Sequence, residues 1–175
     1  LYQQYLKKFK LPENKIIKEF SRGMKMKLQI AVALSHAPEL LILDEATSGL
    51  DPIVREEILD VFMEFIQDEK HSILISSHIT SDLDKIADYI VFIHQGEILL
   101  DQEKETLLAK MGVLKCGEAD FHKLQSDEYI RYRKNQFSFE VLVKDKAVIR
   151  KKYPEAVVDG VTIEEIMLFY VRGEK

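Results

Sequence analysis

The chain has 175 residues, 46% hydrophobic and 31% charged, which fits one globular domain or one domain with a small appendage. A net charge of −5 supplies no electrostatic footprint for nucleic acid. A single cysteine, Cys116, excludes an internal disulfide and a cysteine-rich zinc cluster, and no apolar run approaches the roughly 20 residues of a membrane span.

Residues 1–20 are polar and basic with scattered apolar positions, which predicts helix with a break near Pro12. The opening LYQQYLKKF begins at Leu1 in what reads as the middle of a helical region, the texture of a piece of something longer. FSRGM, Phe20 to Met24, leads into KMKLQIAVALSHA. There Leu28, Ala31, Val32, Leu34 and Ser35 fall near one helical face, predicting a helix from about Arg22 to His36. Leu40 to Leu43 is a short unbroken apolar run, the pattern of a strand buried on both faces. Pro52 follows Asp51, so Asp51 is predicted to cap a helix with Pro52 in its first turn. Ile58, Val61, Phe62, Phe65 and Ile66 then mark one buried helical stripe.

SILISS, Ser72 to Ser77, reads as a second buried strand. Strand, helix and strand in that order predict a crossover in a parallel sheet. A helix over about Ser81–Ala87 precedes the strand Tyr89–Ile93, and HQGE predicts a hairpin turn into EILL. Glu103 to Met111 reads as helix. Beyond Gly112 the texture changes: residues 113–136 show no clear period, FSFEVLV alternates as a half-buried strand, and Ala147 to Tyr153 reads as a short helix. TIEEIMLFYV closes as a helix with Thr162 and Glu165 in a capping box. The expected division is 1–112 for the first domain and 113–175 for a small α+β appendage.

Four short motifs carry the chemistry. LLILDE ends an apolar strand in two adjacent carboxylates, at the edge of an open α/β sheet where ligands bind. Asp44 is suited to a hydrated Mg²⁺, and Glu45 to orienting or deprotonating a water that attacks a phosphate. In TSGLD, Gly49 is free to take a positive φ in a sharp turn ahead of Asp51. His78 stands at the carboxyl end of the second strand, where an imidazole can hydrogen-bond a terminal phosphate. Ser21, Gly23 and the helix they open combine a hydroxyl, a glycine amide and a helix N-terminus, the parts of an anion site. Each motif alone has a plain alternative: two solvated acids, a turn with an N-cap, a surface histidine, and a simple cap by Ser21.

In this order and spacing, the four resemble the ATP-binding subunit of ABC transporters over roughly residues 1–111. FSRGM resembles the signature motif, LLILDE the Walker B strand, SGLD the D-loop and His78 the switch histidine. The resemblance implies the C-terminal part of a P-loop NTPase domain of α/β class, with a mainly parallel sheet, followed by an α+β extension. It implies that Ser21 and Gly23 contact the γ-phosphate of ATP held by a second ATP-binding subunit. It assigns Asp44 to Mg²⁺, Glu45 to the attacking water, His78 to the γ-phosphate and Asp51 to communication across the dimer. It further implies a separate transmembrane permease, a place at the cytoplasmic face of the membrane, and no nucleic-acid partner.

Two departures stand out. Arg22 occupies the place of the first glycine after the signature serine, and the Gly23-Met24 pair that follows resembles the variant common in exporters of the ABC-2 type. Ala46 stands where a proline is frequent. The phosphate-cradling loop G-x-x-x-x-G-K-[ST] is absent: Gly112 and Gly117 have the separation, but Glu118 and Ala119 follow. In the family that loop and the glutamine loop precede the signature. The resemblance therefore predicts that this piece alone binds MgATP poorly and does not turn it over. It also predicts that Leu41, Leu43, Ile73 and Ile75 lack sheet neighbours and that the isolated piece self-associates. Two alternatives stand beside this reading: a soluble ABC ATPase that works on ribosomes or DNA, and a non-catalytic module that kept the fold.

Overall fold

A computed structural model describes residues 1–175. The chain forms two compact units, Leu1–Ile86 and Ala87–Lys175. The expected boundary at 112/113 does not coincide with this division. It would cut a strand, Gly112–Cys116, that is hydrogen-bonded on both sides within the second unit.

The first unit begins with helix α1 (Tyr2–Lys8) and a 3-10 turn, Ile17–Glu19. Helix α2 (Arg22–Leu34) starts where Ser21 accepts a hydrogen bond from the Met24 N–H. Strand β1 (Leu40–Asp44) follows, then helix α3 (Pro52–Phe65), strand β2 (Ser72–Ser76) and helix α4 (Thr80–Ile86). Asp51 caps α3 as expected, with Pro52 at its start: the Val54 N–H reaches Asp51 Oδ1 at 3.0 Å. The strands β1 and β2 run parallel, in a register that sets Leu41 beside Ile73 and Asp44 beside Ser76.

Ile30, Ala31 and Leu34 of α2, Leu41 of β1, and Ile58, Leu59, Val61 and Phe62 of α3 form the core of this unit. Each large side chain fully buried here contributes about 1.5–3 kcal/mol. On α2 the core takes Ile30, while Val32 is exposed. One expectation about burial is corrected. The strands β1 and β2 are not buried on both faces: Leu41 is buried, but Ile42 is 68% exposed and its neighbour Leu74 62%. The α2–α3 core meets one face of the pair, and strand alternation sends every second side chain to the other.

In the second unit, strands β3 (Tyr89–His94) and β4 (Glu97–Glu103) form an antiparallel hairpin. Its two-residue loop, Gln95-Gly96, has positive φ at both positions, the backbone that the twist of a tight hairpin favours. Helix α5 (Lys104–Lys110) leads into β5 (Gly112–Cys116), α6 (Glu118–Phe121), β6 (Tyr129–Lys134) and β7 (Phe139–Val143). Helix α7 (Lys146–Lys152), strand β8 (Val157–Asp159) and helix α8 (Ile163–Arg172) complete the unit. β6, β7, β5 and β8 make one antiparallel sheet in that order. The capping box of Thr162 and Glu165 starts α8 as expected.

Candidate functional site

Parallel pairing in register brings the carboxyl ends of β1 and β2 to the same edge. Asp44 is the last residue of β1 and pairs with Ser76, the last of β2. The Ser76 hydroxyl donates a hydrogen bond to Asp44 Oδ1. The Glu45 N–H extends the ladder by one step, donating to the Ser76 carbonyl at 3.1 Å and lying 3.2 Å from its hydroxyl oxygen. Ser76 thus holds both the side chain of Asp44 and the backbone of Glu45.

The chain then changes direction. Glu45 has φ +49°, in the left-handed region that a side chain other than glycine's rarely adopts. Ala46 and Thr47 are buried behind it. The Ser48 N–H donates to the Glu45 carbonyl at 3.0 Å, and Gly49, φ +66°, completes the turn into α3. After β2, the Ile79 N–H bonds Ser77 Oγ at 3.0 Å, folding the segment that carries His78 into the start of α4. His78 Nδ1 consequently lies 2.5 Å from Glu45 Oε2, with both side chains open to solvent. An acid pair and an imidazole, 33 positions apart at Glu45 and His78, share one rim.

The other three expected site residues lie at helix starts in the same unit. Ser21 caps α2, and Asp51 caps α3. Gly23 is buried against α3: a Cβ at this position would stand 3.0 Å from Val54 Cγ1. A side chain at 23 would fit only if Val54 gave way by a few tenths of an ångström. Arg22, next to it, lays its guanidinium on Gly49.

The sequence reading passed over Ser76. Its signal was present: a serine closing an apolar strand two places before a histidine, as Asp44 closes the other strand. It also passed over Asp82, on α4 four residues after His78. Asp82 is buried, its Oδ1 lies 3.7 Å from Arg55 Nε of α3, and its Oδ2 has no hydrogen-bond partner. Lys85 adds ion pairs to Glu56 and Asp60, so α4 is tied to α3 along its length.

The chain that carries these residues is similar to several known proteins. Residues 2–48 match the family model described as ABC transporter. The chain is 48% identical over 87 residues to the lantibiotic transport ATP-binding protein SrtF of Streptococcus pyogenes, a match covering 50% of this chain and 38% of that protein. It is 46% identical over 85 residues to the bacitracin transport ATP-binding protein BcrA of Bacillus licheniformis, covering 49% of this chain and 28% of that protein. Among solved structures, the dimeric post-hydrolysis state of the ATP-binding cassette MJ0796, bound to ADP and Pi, superposes with a TM-score of 0.52. It is 21% identical and covers 58% of this chain and 44% of that one, a likeness of fold. Over about half of its length this chain is similar to ATP-binding proteins of ABC transporters. Its match spans less than two fifths of the length of either curated relative.

Proposed function

We propose that the chain supplies the hydrolytic edge of an ABC transporter's ATP-binding subunit, coupling ATP hydrolysis to transport through a separate permease of the ABC-2 exporter type. The observation that carries this is the meeting of Glu45 and His78 at 2.5 Å beside Asp44, at the joint carboxyl edge of β1 and β2. The named relatives are transport ATP-binding proteins, which supports the same reading.

The residues fit the cofactors that the family implies. No cluster of three acidic, histidine or cysteine side chains is placed to grip a metal by itself. Mg²⁺ with a nucleotide needs only one or two carboxylates, because waters and phosphate oxygens fill its other positions. Asp44 is exposed and supplies one such carboxylate, oriented by the Ser76 hydroxyl. Bound Mg²⁺ would neutralise charge on the phosphates of ATP. Glu45 then serves as the acceptor that orients a water, and His78, held by that same carboxylate, faces the terminal phosphate. Ser21 and the first turn of α2 present a hydroxyl and helix N–H groups to the γ-phosphate of ATP on a second subunit. Asp51 stands at the start of α3 for contact across that dimer. No helix here is long and apolar enough to cross a membrane. Attachment to the cytoplasmic face through the permease follows from the family reading.

The chain holds no phosphate-cradling loop, so it is expected to bind MgATP weakly and hydrolyse none alone. The test joins it to the phosphate-loop half of an ABC ATP-binding domain and measures phosphate release. Turnover by the joined protein, lost at least about a hundredfold in Glu45→Gln with ATP still bound, is the expected result. Turnover by the chain alone, or full activity of the Glu45→Gln protein, would overturn the reading.

A further inference from the structure

Two motifs that are separated in sequence touch at one point. Gly49 has φ +66°, and a Cβ placed on it would stand 2.5 Å from Nη1, 2.6 Å from Cζ and 2.9 Å from Nη2 of Arg22. Three atoms of one planar group at such range mean that the guanidinium lies across the glycine. None of the chain's salt bridges holds Arg22 in place. The macrodipole does not favour it either, because a cation at a helix N-terminus faces the positive end. What remains is packing on the turn itself. One residue on, Gly23 presses on Val54 in the first turn of α3, so the start of α2 meets both the turn and the helix that follows it.

We propose that Arg22 is a positioning residue: its guanidinium clamps the left-handed turn at Gly49 to the start of α2. The segment from Glu45 to Asp51 and the Ser21–Gly23 segment then move as one edge. Between the Ser76 ladder at Glu45 and the cap at Asp51, the turn has few bonds of its own. Its hydrogen bonds are Ser48 N–H to the Glu45 carbonyl at 3.0 Å and Leu50 N–H to the Thr47 carbonyl at 3.4 Å, the second a long one. Arg22 is wide and flat enough to cover the exposed Gly49, whereas an alanine or a glycine at 22 leaves the turn uncovered. The clamp is a property of the chain itself. Only its consequence for catalysis, through Glu45 at one end of the turn, rests on the proposed function.

The experiment is amide hydrogen exchange on the 175-residue chain and its Arg22→Ala variant. Exchange at Ser48 and Leu50 is expected to rise about tenfold while Ile58 and Phe62, in the core of α3, are unchanged. Arg22→Lys, which keeps the charge without the plane, restores little of the protection. Gly49→Ala, which both expels the guanidinium and strains the left-handed backbone, loosens the same two amides at least as much as Arg22→Ala. Unchanged exchange at Ser48 and Leu50, or an equal rise at Ile58 and Phe62, would overturn the clamp. In the joined protein, the split between kcat and KM gives the catalytic consequence. Arg22→Ala is expected to lower kcat about fivefold with KM for ATP held. Absence of any turnover there would count against the proposed function while leaving the exchange result standing.

Discussion

His78 Nδ1 stands 2.5 Å from Glu45 Oε2, and the Glu45 side that makes this contact sits on a left-handed backbone with φ +49°. Had β1 continued extended, Glu45 would have alternated to the face opposite Asp44. The turn redirects it. A glutamate held there costs about 1–2 kcal/mol of backbone energy, more than an exposed polar contact of about 0–1 kcal/mol returns. The local conformation is therefore maintained by what surrounds it, chiefly the ladder bonds from Ser76 and the buried Ala46 and Thr47.

This yields a sign that urea denaturation can read. Glu45→Gly and Glu45→Ala both remove the carboxylate, so the loss of His78's partner cancels between them. At a left-handed position glycine is expected to be the more stable of the two by about 1 kcal/mol. On ordinary extended or helical backbone alanine would win instead. A more stable alanine variant would mean that Glu45 does not hold the backbone described here. Both variants lose the acceptor assigned to Glu45, so any gain in stability comes at the site.

Behind His78, the buried carboxylate of Asp82 faces Arg55 at 3.7 Å, with its second oxygen unpartnered. Removing either member leaves the other without its counter-charge. Arg55→Met is the more damaging in principle, because it strands a carboxylate that is fully buried, at a cost of about 3 kcal/mol. Asp82→Leu leaves only a part-exposed guanidinium, which water can reach, and is expected to cost less. The double variant should be more stable than the sum of the singles by at least about 1 kcal/mol, as groups in contact require. Strict additivity would show that Arg55 and Asp82 do not interact. Since α4 begins two residues after His78, the same pair fixes where the imidazole's segment leaves the sheet.

Most elements of the first unit are legible from local pattern because local physics decides them. Asp51-Pro52 can do little but start a helix, and the apolar runs of β1 and β2 could only be strands of that length. Exposure was not legible. An apolar run at Leu40–Leu43 reports a demand for cover, and whether an element meets that demand at Ile42 is a tertiary fact. Ser76 was overlooked because its role depends on register: only the pairing of Asp44 with Ser76 puts that hydroxyl on the carboxylate. Strand β6 was hidden by its composition. Arg131, Arg133 and Lys134 break the apolar alternation, yet the Arg133 guanidinium lies 4.2 Å from the Phe169 ring centre and covers it. The left-handed Glu45 carried no mark at all, since no glycine stands there. The residues proposed for chemistry were readable as a set because their order and spacing resemble those of a family, and the distance between two of them needed coordinates.

The second unit has its own acid-sensitive point. Burial pushes the Glu128 carboxyl up, but the Lys152 ammonium, the Gln125 N–H and the Tyr153 hydroxyl outweigh it, so its pKa lies below the ordinary carboxylate value of 4.5. The contacts are close: Lys152 Nζ at 2.7 Å and the Gln125 N–H at 2.8 Å, around a side chain only 11% exposed. A carboxylate whose pKa is lowered by folding binds fewer protons folded than unfolded. Its stabilisation is complete above the unfolded value and is lost as pH falls through the folded one. The unit is therefore expected to weaken below about pH 4.5 in a way that Glu128→Gln removes. Glu128→Gln should be the less stable protein at neutral pH, with a flatter decline on acidification. The measurement is the urea midpoint of the chain and this variant from neutral pH downward, followed through tyrosine fluorescence, Tyr153 lying against Glu128. Parallel curves for the two proteins would show that Glu128 titrates alike in folded and unfolded chains, and that Lys152 and its neighbours do not hold its charge.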